Sequence, residues 1–564
     1  MNYRLFSGLL LFVLVAFPVR ARDAALPRLE TYITAEQVEP YFSTEENRWK
    51  AIQVYQNLGI TKVYLESLRS GYQPSLSLLR EVRDFLREHG IEVSGGITTT
   101  AGENFGTPSN RNPYWLNYQD PKTRNEMADH IRKIALLFDE IIVDDFLATD
   151  DESPQSEEAK GNRSWSEYRL QVMADFARRF IIQPARETNP QIRLIEKFPQ
   201  WYDRFHVFGY NANAAPQDFD RIWVGTETRN PETARFGYVM PTEGYINYRW
   251  LASIAGDKIG GGWFDFGDCT PQSFLMQAYQ SVLAGAKELV LFESSQLINR
   301  NECIEPFLQR REALFALGDI VQYRHPIGMF AYKPIHSEGS DDRGAANLYV
   351  FDYLATLGLA PLPVSQVPQS ASCIFLARQA ACDPTIQEKV TQWLHQGVKL
   401  VVTPDFLRQI EHPALKNCPP IDPETGFATW DVDKGSVLIL DIKTFGDQEF
   451  SPEKEMFLPP KPLPICQWSA ERVNRLRHEI LPLWGVEVTA PNQVGIYLFD
   501  ENLLILANFN DSAVSCEIET TFSNRKPFQL HPQFPHAPET HVEGTGHPCI
   551  VRIAPWEIVV LESI

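Results

Sequence analysis

The chain has 564 residues, of which 44% are hydrophobic, and a formal net charge of −20 at pH 7. This length predicts two to four domains with large buried cores. The acidic balance argues against binding to nucleic acid or to anionic lipid, because such partners select a basic surface.

The N-terminus has the pattern of an export signal. Arg4 precedes the apolar stretch LFSGLLLFVLVAF, and Val19-Arg20-Ala21 resembles a cleavage site. The apolar stretch is short for a membrane span, and the rest of the sequence contains no long uncharged apolar run. We therefore predict a signal peptide over residues 1–21 and a secreted or periplasmic chain with no integral membrane span. An uncleaved anchor is the alternative.

Strand-like and helix-like segments alternate in the first half of the chain. Short continuous apolar runs, typical of buried parallel strands, are separated by stretches with apolar residues at helical spacing. Eight strands, each followed by a helix or a long loop, predict a TIM-type (β/α)₈ barrel as a catalytic domain over residues 22–320. The strand segments are LETYI, KVYLES, IEVSGGI, EIIVDDF, IRLIEKF, RIWVGTE, IGGGWFDF and ELVLFES.

Two further domains are expected after the barrel. Residues 321–456 alternate strand and helix again, which predicts a small α/β domain of flavodoxin or amidotransferase shape. Its helical segments AANLYVFDYLATLG and PTIQEKVTQWLHQG both end in glycine. Residues 457–564 begin with the proline-rich FLPPKPLPICQW, which predicts a linker, and continue with alternating apolar runs that predict a C-terminal β-sandwich.

Acidic side chains stand at six of the eight predicted strand ends. The mouth of a (β/α)₈ barrel is built from these ends, so the acids are expected to converge. Converging carboxylates repel one another and resist joint ionisation. A cation, sugar hydroxyls or acid–base chemistry would explain why they are kept together. The residues are Glu66, Asp144 with Asp145, Glu196 with Lys197, Glu227 with Arg229, Asp265 with Asp268, and Glu293.

Aromatic side chains occur in or near the same predicted loops. Trp201 lies in EKFPQWYDRF, where charges and rings alternate without core periodicity, and Trp263 lies in the seventh strand. Flat rings that stack on pyranose faces, beside carboxylates that bind hydroxyls, favour a carbohydrate substrate. The alternative is that these rings pack the helical shell.

Glycoside hydrolysis requires two carboxyl groups across the scissile bond. The sequence favours Asp144 or Asp145 paired with Glu227, with Asp265 as the main rival partner and Glu196 as the next. Consecutive strand residues face opposite ways, so only one of Asp144 and Asp145 is expected to act directly. Alternatively, Glu227 and Arg229 pair only to hold a loop. The remaining predicted contacts to substrate are Glu66, Glu196, Lys197, Trp201, Arg229, Trp263, Asp268 and Glu293.

Three smaller features complete the pattern. The segment ATDDES, continuing into PQSEEAKGN, predicts a mobile acidic loop without chemistry of its own. No CxxC or HExxH motif occurs, so we predict neither a metal nor a cofactor. Eight cysteines in an exported chain permit disulfides, and the pairs proposed are Cys269 with Cys303 and Cys373 with Cys382.

With these features the chain resembles the retaining glycoside hydrolases with a (β/α)₈ catalytic domain, and its domain order is similar to that of the family 42 β-galactosidases. This resemblance implies a secreted glycosidase that forms a homo-oligomer through its middle domain. That family places glutamates after strands four and seven, whereas this chain offers Asp144 or Asp145 and Asp265. An aspartate after strand four with an acid after strand six is more similar to α-galactosidase and α-glucosidase barrels. The exact family and the anomer stay open.

The function predicted from these features is cleavage of O-glycosidic bonds in an oligo- or polysaccharide by a carboxylate pair at the barrel mouth. Two alternatives come from other classes. One is a non-catalytic carbohydrate-binding protein on a decayed barrel. The other is a metal-dependent lyase or hydrolase that uses the acids as Mg²⁺ or Ca²⁺ ligands.

Overall fold

The structure is a computed structural model that describes residues 26–231, 239–335, 347–442, 467–521, 527–543 and 548–563. The predicted signal peptide and most of the proline-rich stretch lie outside the described residues. Within those ranges, no helix has both the length and the apolar composition needed to cross a membrane.

The first domain is a closed barrel of eight parallel strands, as predicted. Strand β8 pairs with β1 and closes the ring. The continuous apolar runs of the sequence are buried on both faces, against the barrel interior on one side and the helices on the other. The strands are β1 Arg28–Ile33, β2 Ile60–Glu66, β3 Glu92–Ile97, β4 Glu140–Val143, β5 Arg193–Phe198, β6 Arg221–Gly225, β7 Ile259–Asp265 and β8 Glu288–Phe292.

Helices surround the barrel and several begin with side-chain caps. Ser164, for example, caps the helix that starts at Trp165 and shares a capping box with Glu167. The helices are Ala35–Phe42, Glu45–Leu58, Leu76–Glu88, Pro121–Ala135, Pro154–Lys160, Trp165–Phe176, Gln183–Thr188, Phe205–Phe208, Ala215–Asp218, Glu243–Ala255, Pro271–Leu283, Ser294–Ile298 and Ile304–Val321, with a π-helical segment at Ala177–Ile182.

Bulky side chains fill the barrel interior. A Cβ atom on Gly260 or Gly261 would lie within 2.6 Å of the Trp223 ring, so the glycine run of β7 provides the space that this tryptophan occupies. The interior layer fixes which residues of each strand point inward, and so determines the side chains at the mouth. Its members are Tyr32, Tyr64, Ile142, Ile195, Trp223, Trp263 and Val290.

The second domain contains a six-stranded sheet with helices Val350–Thr356, Ile386–His395 and Pro404–Gln409. The predicted strands and both predicted helices are present, and the parallel strands follow the doubly wound order 2-1-3-4-5. The sequence did not predict the antiparallel edge strand Phe427–Val432, whose residues are mixed in polarity and of which none is fully buried. In spatial order the strands are Pro361–Val364, Met329–Tyr332, Cys373–Leu376, Lys399–Val402, Gly435–Leu440 and Phe427–Val432.

The C-terminal module is built on two antiparallel sheets with a shared apolar core, preceded by helix Ala470–Ile480. Strand Pro326–Ile327, which directly follows the barrel, pairs with Val494–Phe499 and so joins this module. The predicted three-part fold is thus confirmed. One sheet contains Val486–Thr489, Val514–Thr520, Cys549–Ile553 and His541–Glu543; the other contains Phe528–Leu530, Ile558–Ser563, Leu503–Asn508, Val494–Phe499 and Pro326–Ile327.

The two proposed disulfides are not formed in the structure. Cys269, Cys303 and Cys373 are free thiols. The sulfur of Cys269 contacts the Asp265 carbonyl oxygen at 3.2 Å, and Cys373 is buried in its strand. Closeness in sequence, or position after neighbouring strands, does not supply the Cβ geometry that a disulfide needs.

Candidate active site

A buried lysine lies at the centre of the acidic cluster at the barrel mouth. Its Nζ atom is 2.7 Å from Asp145 Oδ2 and 2.7 Å from Glu227 Oε1. Asp144 Oδ1 is 3.7 Å away. The Lys197 side chain is 2% exposed, so the lysine lies beneath the surface and bridges the ends of strands β4 and β6. The carboxylates that the sequence placed on separate strands meet here around one positive charge.

The direction of Lys197 follows from strand alternation. Ile195 belongs to the interior layer of the barrel, so Lys197, two residues further along β5, points to the same side. Its ammonium group lies 4.5 Å from the centroid of the Trp263 ring, a cation–π contact that helps to replace lost hydration. Burial opposes the charge, but the neighbouring carboxylates dominate and raise the pKa of Lys197.

Asp145 has the ionisation expected of a proton donor near neutral pH. Burial raises the pKa of its carboxyl group, the charges of Asp144 and Glu227 raise it further, and Lys197 opposes them. The result is a pKa of about 7. The side chain is 15% exposed, so a substrate in the mouth can reach it. A carboxyl group whose pKa is shifted this far by burial and charge is typical of a catalytic position.

Asp144 is bound, at the oxygen that does not face Lys197, by a residue that the sequence did not single out. Arg69 donates to Asp144 Oδ2 at 2.8 Å and to Glu66 Oε2 at 2.9 Å. Although burial opposes it, Lys197 and Arg69 lower the pKa of Asp144 and keep it ionised. Asp144 also accepts the backbone N–H of Asp145 at 2.9 Å, so it fixes the start of the β4 loop.

Glu66 belongs to a buried hydrogen-bond network beneath the mouth of the barrel. Its two oxygens accept bonds from the Tyr32 hydroxyl and the Ala35 backbone N–H, both at 2.7 Å, in addition to Arg69. Thr98 donates to the same carboxylate. The residue is fully buried, so it orients Arg69 and does not reach the open surface.

Glu227 is buried and asymmetric in its bonding. Oε1 receives the Lys197 ammonium, whereas Oε2 has no hydrogen-bond partner within the described residues. A Cβ atom on Gly225 would lie 2.4 Å from this Oε2 atom, so the glycine leaves the room that the carboxylate needs. The Glu227 side chain is 4% exposed, which leaves little of it open to the mouth.

Asp265, at the end of β7, is bound by Arg229 of the β6 loop. Arg229 donates from Nε to Oδ1 at 3.1 Å and from Nη2 to Oδ2 at 2.7 Å. This two-point fork is the geometry in which a guanidinium binds a carboxylate anion. The Asp265 side chain is 16% exposed, close to the value for Asp145. The sequence left open a pair between Glu227 and Arg229. In the structure the guanidinium fork of Arg229 binds Asp265, and Glu227 Oε1 binds Lys197.

The other predicted contacts occupy different positions. Trp263 lies in the barrel interior and is 2% exposed, so it forms the floor under Lys197. Trp201 is half-buried after β5 and packs on Phe208 and Tyr210. The backbone oxygen of Asp268 accepts the Asn230 N–H at 3.1 Å and ties the β7 loop to the β6 loop.

Glu293 caps a short helix at the end of β8. Its carboxylate accepts the Ser295 backbone N–H at 3.0 Å and the Ser295 hydroxyl at 2.6 Å. Gln37 donates to the same group. Its role in this structure is to fix the first residues of helix Ser294–Ile298.

Glu196 lies apart from the cluster. It faces away from the barrel interior, among Met173, Gly209 and Asp218 beneath the outer helices. Burial, with a further contribution from the Asp218 charge, raises the pKa of Glu196 to about 8. Strand alternation that turns Lys197 inward turns Glu196 outward, so the structure does not bring Glu196 to the predicted substrate site.

The acidic segment after β4 is more structured than the sequence suggested. Asp151 is buried and its Oδ2 atom accepts hydroxyl bonds from Ser153 and Ser156, each at 2.6 Å. Ser153 caps helix Pro154–Lys160. The expectation of a mobile loop disagrees with this arrangement, in which one acid organises the following helix.

One contact that the sequence did not indicate reaches Asp145 from the β5 loop. The Tyr210 hydroxyl donates to the backbone carbonyl of Asp145. No local pattern could have revealed it, because the two residues are distant in sequence and meet only through the fold. Arg69 gave a weak signal, since it follows the end of β2 by three residues. Among the described residues, no group of three or more His, Cys, Asp or Glu side chains is arranged to hold a metal ion.

Comparisons with known proteins identify the family of the barrel domain. The family model described as "Probable glycosyl hydrolase, catalytic domain" matches residues 20–324. An uncharacterised protein of Saccharolobus solfataricus is 25% identical over 414 residues, which cover 68% of this chain and 67% of that protein.

Solved structures of glycosidases superimpose on most of the chain. A catalytic mutant of the GH42 β-galactosidase Gan42B of G. stearothermophilus gives a TM-score of 0.61 at 10% identity, over 96% of this chain and 98% of that one. The β-galactosidase of Rahnella sp. R3 gives 0.58 at 11% identity, over 96% and 99%. The exo-β-1,4-mannosidase of Opitutaceae bacterium strain TAV5 gives 0.50 at 12% identity, over 74% and 92%. Such identities show a shared fold, and the domain order of family 42 is confirmed at that level.

Proposed function

As the chain belongs to the family described as "Probable glycosyl hydrolase, catalytic domain", we propose that Asp145 and Asp265 are the carboxyl pair with which this glycosidase cleaves its O-glycosidic bond. Asp145 is the proton donor and Asp265 is the opposing carboxylate. The substrate class is an oligo- or polysaccharide that enters at the C-terminal ends of the barrel strands.

Exposure is the observation that carries this choice. The side chains of Asp145 and Asp265 are 15% and 16% exposed, whereas Asp144 and Glu227 are each 4% exposed. A group must touch the reacting atoms in order to transfer a proton or attack a carbon. The first pair is open to a ligand in the mouth, and the second pair lies under it.

The two exposed groups also have complementary electrostatics. Asp145, with a pKa of about 7, retains a proton that it can give to the departing glycosidic oxygen. Asp265 is bound by the cationic fork of Arg229, which matches the anion required of a nucleophile or base. Two carboxyl groups held in unlike environments at one mouth are the arrangement that glycoside hydrolysis uses.

The buried residues have supporting roles in this proposal. Glu227 acts on Asp145 through its charge, since it raises the pKa of that group. Lys197 keeps Asp145 and Glu227 in place despite their mutual repulsion. Asp144 and Arg69 fix the beginning of the β4 loop. Trp201, which packs on Tyr210, offers a partly open ring for a sugar face.

Two properties of the whole protein belong to the same proposal. Export is supported by Arg4, the apolar stretch that follows it and the small-residue site at 19–21. The mass of the protein purified from its native host would show whether about twenty N-terminal residues have been removed. Assembly into a homo-oligomer through the middle domain is supported by the shared domain order, and light scattering on the purified protein tests it.

Aryl glycosides with different leaving groups test the carboxyl pair. A 2,4-dinitrophenolate departs without protonation, so Asp145→Asn should lose little activity on its glycoside and about 10²-fold or more on an unactivated glycoside, the usual contribution of a general acid. Asp265→Asn should lose activity on both substrates. Asp218→Asn is the matched control, because Asp218 also binds an arginine but lies outside the mouth.

The result that would overturn the assignment is equally definite. Full activity of Asp265→Asn, together with loss of activity on both substrates in Glu227→Gln, would transfer the second carboxylate role to Glu227. Product analysis of the anomer first released would then distinguish retention from inversion for whichever pair is active.

A further inference from the structure

Asp203 of the barrel is bound by residues of the middle domain. Its Oδ2 atom accepts the Tyr349 backbone N–H at 2.6 Å and the Gln379 amide at 3.1 Å. Its Oδ1 atom lies 3.4 Å from Lys333 Nζ. Asp203 is 2% exposed and Lys333 is fully buried, so this is an internal contact between two domains.

The residues on either side of Asp203 bind the same partner. The Tyr202 hydroxyl donates to Asp352 Oδ1 at 3.0 Å, and Arg204 Nε donates to the Tyr349 hydroxyl at 2.9 Å. The rings of Tyr202 and Tyr349 meet edge to face with centroids 5.2 Å apart. Three consecutive barrel residues are therefore fixed by helix Val350–Thr356 and the residue before it.

Asp203 binds at the position where doubly wound sheets generally bind their ligands. Such sheets bind ligands in the crevice outside the carboxyl ends of their strands, where the strand order reverses. Here that point lies between Met329–Tyr332 and Cys373–Leu376. Lys333 directly follows the first strand and Gln379 follows the second, and both contact Asp203. The barrel loop occupies the position at which a ligand is bound in related folds.

The other end of this loop reaches the catalytic side chain. Beyond Arg204 the chain forms the short helix Phe205–Phe208, and Tyr210 then donates its hydroxyl to the Asp145 carbonyl oxygen. The Tyr210 ring packs on Phe205 with centroids 5.5 Å apart and on Trp201 with centroids 6.2 Å apart. A packed, short segment therefore connects the middle domain to the backbone of Asp145.

We infer that the middle domain is a positioning element of the active site: it binds Asp203 in its ligand crevice, and the loop from Trp201 to Tyr210 transmits that position to Asp145. Asp203 and Tyr210 are positioning residues in this mechanism, because they act through Asp145. The inference rests on the proposed role of Asp145 as the proton donor. It explains why the middle domain is packed against the β5 loop.

Leaving-group dependence separates positioning of the acid from a general structural role. Asp203→Asn and Tyr210→Phe should lower kcat/KM for an unactivated glycoside about tenfold and for the 2,4-dinitrophenyl glycoside less than about twofold, because only the first substrate needs the proton. KM should change little. Asp383→Asn is the matched control: its partners Tyr332, Thr385 and Lys389 all lie in the middle domain, and it should leave both substrates unaffected.

The outcomes distinguish this inference from the proposed function. Equal losses on both substrates, or no loss in either variant, would overturn the positioning role. Tyr210→Phe removes one hydroxyl group, so it tests the positioning role even where Asp203→Asn does not fold. Asp145→Asn is measured in the same series: if it shows no leaving-group dependence, the proposed function fails, and if it shows dependence that the loop variants lack, only the inference fails.

Discussion

The ammonium nitrogen of Lys197 lies 2.7 Å from Oε1 of Glu227, beneath the open mouth of the barrel. The same nitrogen is 2.7 Å from Asp145 Oδ2, so the two carboxylate oxygens are no more than twice that distance apart. At this range, charges in a site shielded from water change one another's ionisation strongly. The pH dependence of catalysis is therefore a direct probe of the cluster.

Glu227→Gln should move the alkaline limb of the pH profile to lower pH. The negative charge of Glu227 raises the pKa of Asp145, and the amide removes that charge. Because the acid must be protonated, activity falls as pH rises through this pKa, and the fall should begin about one pH unit earlier in the variant. The profile of kcat/KM measures this shift. An unchanged limb would mean that Glu227 does not act on the titrating acid.

Lys197→Gln should move the same limb in the opposite direction. The lysine lowers the pKa of Asp145, and without it Asp145 faces the charge of Glu227 directly. The alkaline limb should therefore move to higher pH by about one unit or more. The maximal rate should be lower, because the lysine no longer connects Asp145 and Glu227. The two variants serve as controls for each other, since a general loss of folding would not shift the limb in opposite directions.

The architecture was predictable because its signals are local. Continuous apolar runs such as EIIVDD and RIWVGTE mark buried parallel strands, and the stretches between them repeat at helical spacing. The order of strands and helices then leaves few topologies. The edge strand Phe427–Val432 gave no such signal, because its residues are mixed in polarity and none of them is fully buried.

The composition of the site was predictable, but the direction of its side chains was not. In IRLIEKF both faces of β5 are buried, so the sequence does not show which residues point inward. The structure shows it through Ile195, which turns Lys197 into the mouth and Glu196 toward the helices. The contacts of Tyr210 with Asp145 and of Asp203 with Tyr349 depend on the packing of whole domains, which no spacing rule gives.

The outward position of Glu196 can be checked by stability. Its pKa of about 8 lies above the value in an unfolded chain, about 4.3, so the folded state keeps a proton that the unfolded state loses between these values. The contribution of Glu196 to the stability of the native protein thus falls as pH rises through this window. Glu196→Gln removes the ionisable group, and its stability relative to the native protein should increase from pH 5 to pH 8. Urea unfolding at several pH values measures the difference.

If the stability of Glu196→Gln relative to the native protein increases from pH 5 to pH 8 and its kcat/KM is unchanged, the result agrees with the position of Glu196 outside the mouth. Equal pH dependence in both proteins would contradict the buried, protonated state. A large loss of activity would restore Glu196 to the substrate site that the sequence favoured.

Arg229→Lys should damage catalysis while leaving the fold intact. The guanidinium binds Asp265 through two parallel bonds, whereas an ammonium group offers one point of charge and leaves an oxygen without its fixed donor. We expect kcat to fall about tenfold or more, because the opposing carboxylate loses its orientation toward the substrate carbon. Arg178→Lys is the matched control, since Arg178 donates to both oxygens of Asp218 on the outer surface, each at 2.9 Å. Equal activity of Arg229→Lys and the native enzyme would show that Asp265 needs no such fork, and would weaken its assignment as the second carboxylate.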